Sequence, residues 1–176
     1  MVLIKMAHNV ISVRPIKPSE WQLYRNTRLY ALRDSPNAFA STYEEEALRA
    51  DESWKARIIA AFSSNNDHAL FALDGNEVCG LAWGKLSANT ADIFQMWVNP
   101  KSRGLGAGRA LLDELLAWAK RCRALRVRLG VTAADTPAMH LYKAFGFLLD
   151  GDLEPLRKDS VLMSQPMVLE LRSALP

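Results

Sequence analysis

The sequence predicts a mixed α/β (α+β) domain, a twisted and mostly antiparallel sheet of about seven strands carrying four helices. Three stretches make the case. His68–Leu73 and Glu77–Leu86 are apolar runs joined by Asp74-Gly75-Asn76, and an Asp-Gly pair supplies the positive φ that a tight hairpin needs. Ile93–Val98, rich in β-branched and aromatic residues, runs into a glycine-dense turn that ends at Gly108, and a segment with helical apolar spacing follows. Leu125–Val131 then alternates as a strand should. Because a helix separates it from the strand at 93–98, the two are predicted to be parallel neighbours in a right-handed βαβ unit.

With 176 residues, 49% of them hydrophobic, the chain is sized for one compact domain with a real core. Residues 1–8 read as a short extension ahead of the first strand. The apolar runs fall well short of the roughly 20 residues that cross a bilayer, and the N-terminus lacks a signal-peptide pattern, so a soluble, cytoplasmic protein with no membrane partner is expected. Cys79 and Cys122 read as free thiols. Neither they nor His8, His68 and His140 have ligand spacing, so no metal is expected. The net charge of +3 is mild. Its one concentration, Lys120, Arg121, Arg123, Arg126 and Arg128, fits a solvated helix C-terminus complementing the macrodipole, and no nucleic-acid partner is expected.

Taken in order, Val10–Pro15 is the first strand, stopped by proline. A helix opens at Pro18-Ser19-Glu20-Trp21-Gln22, with Ser19 as N-cap and Gln22 completing a capping box. It buries Leu23, Tyr24, Thr27, Tyr30 and Ala31 and ends near Asp34-Ser35-Pro36. Residues 35–50 are irregular, and Glu44-Glu45-Glu46 reads as a solvated helix start, with Glu44 or Glu45 facing an acceptor pocket as the lesser reading. From an N-cap at Asp51 a second helix carries Trp54, Ile58, Ala61 and Phe62. The three-strand meander from 68 to 98 comes next.

The helix at 106–121 presents Leu111, Leu112, Leu115, Leu116, Ala119 and Cys122 on one face and pairs Arg109 with Asp113 on the other. A last helix opens at Asp135 or Thr136 with Pro137 near its first turn. Closing strands follow at 147–152 and 167–171, and Pro166 places the last one late or at an edge.

The glycine turn Arg103-Gly104-Leu105-Gly106-Ala107-Gly108-Arg109-Ala110 offers backbone N–H groups at the positive end of a helix, a seat for phosphate. It lacks the Lys-Ser/Thr of a P-loop and the third glycine of a dinucleotide fingerprint. Arg103-x-x-Gly106-x-Gly108 instead resembles the acyl-CoA signature of the GNAT superfamily of N-acetyltransferases. A second match supports this: Asp135-x-x-Ala138-x-x-Leu141-Tyr142, followed by Gly146-Phe147, resembles the family's Asn-x-x-Ala-x-x-Leu-Tyr and Gly-Phe run. Arg28–Leu32, Asp34–Phe39 and Met96–Pro100 look like a bacterial branch, and the likeness extends from about Val10 to Leu171.

The resemblance implies a GNAT fold whose parallel strand pair splays around the cofactor. It implies direct transfer of an acetyl group from acetyl-CoA to a primary amine of a small molecule or peptide, within a ternary complex. The N–H groups from Gly104 through Ala110, with Arg103, would hold the pyrophosphate. Trp97 and Val98 would pair with pantetheine and polarise the thioester carbonyl. Asp135, where relatives carry Asn, and Ala138 stand at the pantetheine arm. Tyr142 would protonate the departing thiolate, since a phenol with a pKa of about 10 is protonated at neutral pH. Asp92 matches the base of the histone-acetylating branch, with Glu44 and Glu45 as rivals. A catalytically silent acyl-CoA sensor is the competing reading. A homodimer is left open.

Overall fold

In the computed structural model, residues 10–171 are described, and the expected extension at 1–8 lies outside them. The chain runs β1 (Ile11–Pro15), a 3-10 turn (Pro18–Glu20), α1 (Trp21–Asp34), α2 (Tyr43–Ala47), α3 (Asp51–Ser63), β2 (Asp67–Asp74), β3 (Glu77–Ser87) and β4 (Thr90–Val98). A second 3-10 turn (Pro100–Ser102) leads to α4 (Ala107–Arg121), β5 (Arg126–Thr132), α5 (Pro137–Ala144), β6 (Leu148–Leu149), β7 (Glu154–Pro155) and β8 (Met163–Glu170). All eight strands form one sheet in the order β1-β2-β3-β4-β5-β8-β6, with β7 also on β8. Every pairing is antiparallel except β4 with β5, as expected.

Strand alternation divides the core in two. Leu70 and Ala72 of β2, with Ala82 of β3, face α4, which buries Leu111, Leu112, Leu115, Trp118 and Ala119 against them. Ala69, Phe71 and Leu73, with Leu81 and Trp83, face α1 and α3 and meet Tyr24, Ala31, Leu32, Trp54 and Ile58. Each fully buried Leu or Ile contributes about 1.5–3 kcal/mol of transfer free energy, so both faces are needed to hold the sheet.

Several local expectations are corrected. The capping bond lies at the preceding 3-10 turn, whose N-cap is Lys17: the Glu20 carboxylate accepts from Lys17 N at 2.9 Å, the N-cap of α1 is Glu20, and Ser19 and Gln22 make no capping box. The buried stripe of α1 is Tyr24, Arg28, Ala31 and Leu32, while Leu23 and Tyr30 are exposed. In α3 the N-cap is Ala50, Asp51 lies inside and pairs with Arg25, and Phe62 faces out. The acidic run forms α2, in which Glu44 and Glu45 are exposed but Glu46 is buried. That fifth helix and an eighth strand exceed the expected numbers. Arg109 lies over the Phe145 ring at 5.3 Å and makes no ion pair with Asp113 among the described residues.

Pro166 does not start a late edge strand. It sits inside β8, between β5 on one side and β6 and β7 on the other. A residue's N–H and C=O leave a strand on the same side. The Pro166 carbonyl accepts from Asp150 N at 2.9 Å, so the missing N–H points at the gap between β6 and β7, where no ladder partner is lost.

Candidate functional site

β4 and β5 are paired for only four residues, Thr90 to Ile93 against Arg126 to Leu129. Beyond Ile93 they part. β4 continues to Val98 along β3, and β5 continues to Thr132 along β8, which opens a fork at the C-terminal ends of two parallel strands.

A bulge shapes the β4 arm. Leu81 faces Trp97 and Trp83 faces Phe94, so Gln95 and Met96 together oppose the single residue Ala82, and Gln95 takes φ +57°. One inserted residue flips every later side chain to the other face. Ala91 and Ile93 therefore join the α4 core, whereas Trp97 joins the α1 core. The Gln95 side chain accepts from the Tyr24 hydroxyl at 2.8 Å, and Tyr30 packs edge-on to Trp97 with ring centroids 5.4 Å apart. α1 is thus bolted across the parted segment of β4.

At the mouth lies the glycine turn. Gly104 and Gly106 have φ of +79° and +91°, values that L side chains rarely adopt, and a Cβ on either would meet nothing within 4 Å. The space above them is open, and a phosphate could approach the N–H groups at the head of α4, whose N-cap is Gly106. Gly108 is different: a Cβ there would lie 3.4 Å from Leu141 Cδ2 and 3.7 Å from Val98 Cγ2. The expected strand edge, glycine turn and last helix therefore meet at one place.

Arg103 is already engaged. Its Nη2 donates to Asp34 Oδ2 at 2.7 Å and its Nε to the Val98 carbonyl at 3.0 Å. The same Asp34 oxygen accepts from Trp97 Nε1 at 3.0 Å and from the Ser35 hydroxyl at 2.7 Å. Burial alone would push the Asp34 carboxyl upward, but these donors and the Arg103 charge outweigh it and hold the group below its ordinary range. Asp34 thus joins the end of α1, the β4 arm and the glycine turn. Sequence reasoning saw it only as a helix end.

Tyr142 of α5 is buried, its ring 5.9 Å from that of Phe147. Burial pushes its phenol well above the ordinary value, so the hydroxyl stays protonated throughout the neutral range. Thr136, accepting from Met139 N at 3.2 Å, caps α5; the Asp135 carboxylate is exposed and hydrogen-bonded to His140 instead. Ala138 is half-buried against the core. Asp92 lies on β4 within the paired stem of the fork, its carboxylate 3.1 Å from Arg128 Nη2. Five residues at about 3.3 Å each separate it from Trp97. Arg121 and Arg126 of the basic cluster are likewise paired, with Glu114 and Glu170. No group of three metal-ligating side chains occurs among the described residues, and none of their helices is long and apolar enough to cross a membrane.

Parted parallel strands with a glycine-turned helix head between them leave a fork with backbone N–H groups at its mouth. The chain belongs to the Acetyltransferase (GNAT) family, which it matches over residues 26–147. A curated relative, mycothiol acetyltransferase of Acidothermus cellulolyticus, is 30% identical over 142 residues, 76% of this chain but 42% of its own length. The chain thus spans about two fifths of that relative. Among solved structures, a GNAT acetyltransferase from Streptococcus pneumoniae superposes with TM-score 0.77 at 20% identity, covering 92% of this chain and 99% of the other. The PaiA N-acetyltransferase of Thermoplasma acidophilum, solved with coenzyme A, gives TM-score 0.74 at 18% identity, covering 92% and 99%.

Proposed function

We propose that this chain transfers an acetyl group from acetyl-CoA to a primary amine by direct attack within a ternary complex. The observation that carries this reading is the fork: β4 leaves β5 after four paired residues, and Val98, Gly108 and α5 converge where it opens. The open space over Gly104 and Gly106 fits a pyrophosphate, and acetyl-CoA supplies the thioester when bound.

In this reading the N–H groups from Gly104 to Ala110 hold the pyrophosphate. Arg103, fixed by Asp34, shapes the turn more than it grips the phosphate. The parted edge at Trp97 and Val98 aligns the pantetheine amides and lends an N–H to the thioester oxygen, where negative charge develops. As the amine nitrogen bonds to the acetyl carbon and the carbon–sulfur bond breaks, Tyr142 donates its proton to sulfur. Burial weakens the phenol as an acid, but the same dry surroundings disfavour the bare thiolate, so the transfer stays matched. Asp92, roughly 16 Å along the strand from Trp97, takes the amine's proton through a relay of several waters and must loosen its pairing with Arg128 to do so. Asp135 reaches the pantetheine arm only by leaving His140, with Ala138 as the close surface below.

Replacing Tyr142 by Phe keeps the packing and removes the proton. Turnover is expected to fall about 10²–10⁴-fold, the range for a lost general acid, with the acetyl-CoA dissociation constant unchanged by calorimetry. Loss of cofactor binding would make Tyr142 a structural residue.

A further inference from the structure

The Arg28 guanidinium is buried, at 3% residue exposure, and its Nε and Nη1 have no hydrogen-bond partner among the described residues. Buried polar groups are nearly always satisfied, so the three idle N–H donors on Nε and Nη1 call for a partner. The guanidinium lies over the Phe39 ring, 4.6 Å from its centroid. Tyr24, Glu46 and Arg57 are the titratable groups that face it. Glu46 makes no hydrogen bond to Arg28 Nε or Nη1; its two carboxylate oxygens instead meet Arg49 and Arg57 at 3.1 and 3.3 Å. Arg28, Arg49 and Arg57 gather around one carboxylate, and the surroundings of Arg28 are short of negative charge.

Its location ties this cation to the fork. Arg28 lies one turn from Tyr24, bonded to Gln95, and six residues before Asp34, bonded to Trp97. These anchors stand about 6 and 9 Å along the helix on either side of it. Arg28 is therefore held beside the parted stretch of β4, on the side opposite α4. Residues 35–42, which carry Phe39, arch over it and are pinned by Thr132 Oγ1 on the Asn37 carbonyl at 2.6 Å and Arg157 Nη2 on the Pro36 carbonyl at 2.9 Å.

We propose that Arg28 is the docking point for a carboxylate of the acceptor, so that the preferred acceptors are amines of the amino-acid kind, with a carboxylate a few atoms from the nitrogen. The inference rests on the acetyl-transfer reading. Arginine's planar fork matches a carboxylate bidentately, and the excess positive charge repels a purely cationic amine. The carboxylate satisfies the idle donors, and the amine is left pointing at the β4 edge.

The test uses the common L-amino acids, each beside its primary amide, as acceptors in thiol release from acetyl-CoA. The same pairs are titrated calorimetrically into the CoA-saturated protein, for wild type, Arg28→Gln and Arg28→Lys. Wild type is expected to favour acid over amide by about 10- to 100-fold in KM or Kd, the worth of a charged hydrogen-bonded pair. Arg28→Gln should bring that ratio to near one, and Arg28→Lys should restore part of it. Wild type treating acids and amides alike overturns the proposal, as does an acid-to-amide ratio that survives in Arg28→Gln. Thiol release from both kinds equally would leave acetyl transfer standing and the subsite refuted. Arg28-dependent binding of acids without thiol release would do the reverse.

Discussion

The two faces of the sheet are built from different materials. The α4 face is apolar, packed by Leu111, Leu112, Leu115 and Trp118, and the site proposed on it is backbone: the turn at Gly104 and Gly106 and the bare edge of β4. The α1 face buries charge and polar side chains within its aromatics, with Arg28 and Glu46 nearly inaccessible and Asp34 gathering Trp97 and Arg103. A backbone site reads the features common to any ligand of the class, namely phosphate oxygens and amides. A side-chain site distinguishes one ligand from another by charge and shape. In the proposed reading, the first face takes the shared cosubstrate and the second the particular acceptor.

The sharpest way to break this contrast on the α4 side is Gly106→Ala. At φ +91° the added Cβ clashes with nothing, so only backbone strain is introduced, about 1–2 kcal/mol. Urea unfolding should show that loss, and calorimetry should show weaker acetyl-CoA binding as the N–H groups turn away. Unchanged affinity would mean that the turn does not face the pyrophosphate.

A smaller effect is expected from Asp34→Asn, which keeps the shape and removes the charge holding Arg103. Stability and acetyl-CoA affinity should both fall several-fold, about 1 kcal/mol each, because the clamp positions the glycine turn without touching the ligand. The pH dependence carries the sign. Asp34 is held below its unfolded value of about 3.9, so its contribution is fully present above that value and is lost as pH falls through the lower folded value. The stability gap between wild type and variant should stay constant from pH 6 to 8 and narrow below about pH 4. A gap that widens in acid would mean that Asp34 is not charged in the folded protein.

What the sequence discloses follows the same division. The hairpin, the βαβ unit and the glycine turn were legible because each depends on local rules: Asp-Gly at a tight turn, Leu at helical spacing, Gly where φ is positive. The α1 face was not. Arg28 interrupts an apolar stripe and reads as a surface residue until tertiary packing covers it, which shifted the expected stripe to Leu23 and Tyr30. The bulge at Gln95 has no glycine to announce it, and without it strict alternation would put Trp97 among the α4 residues. Asp34 resembles a helix end because its three donors come from Ser35, Trp97 and Arg103, two of them more than 60 residues away. Pro166 lies mid-strand because its missing N–H faces a gap that only the three-dimensional pairing creates.

The most direct measurement is thiol release from acetyl-CoA by the purified protein across a library of amines and amino acids, with cofactor binding followed in parallel. Acetyl-CoA is expected to bind, with acceptor-dependent release of one thiol per acetylated amine. Binding of acetyl-CoA with no release above the buffer rate for any acceptor would contradict it and leave a silent acyl-CoA-binding module.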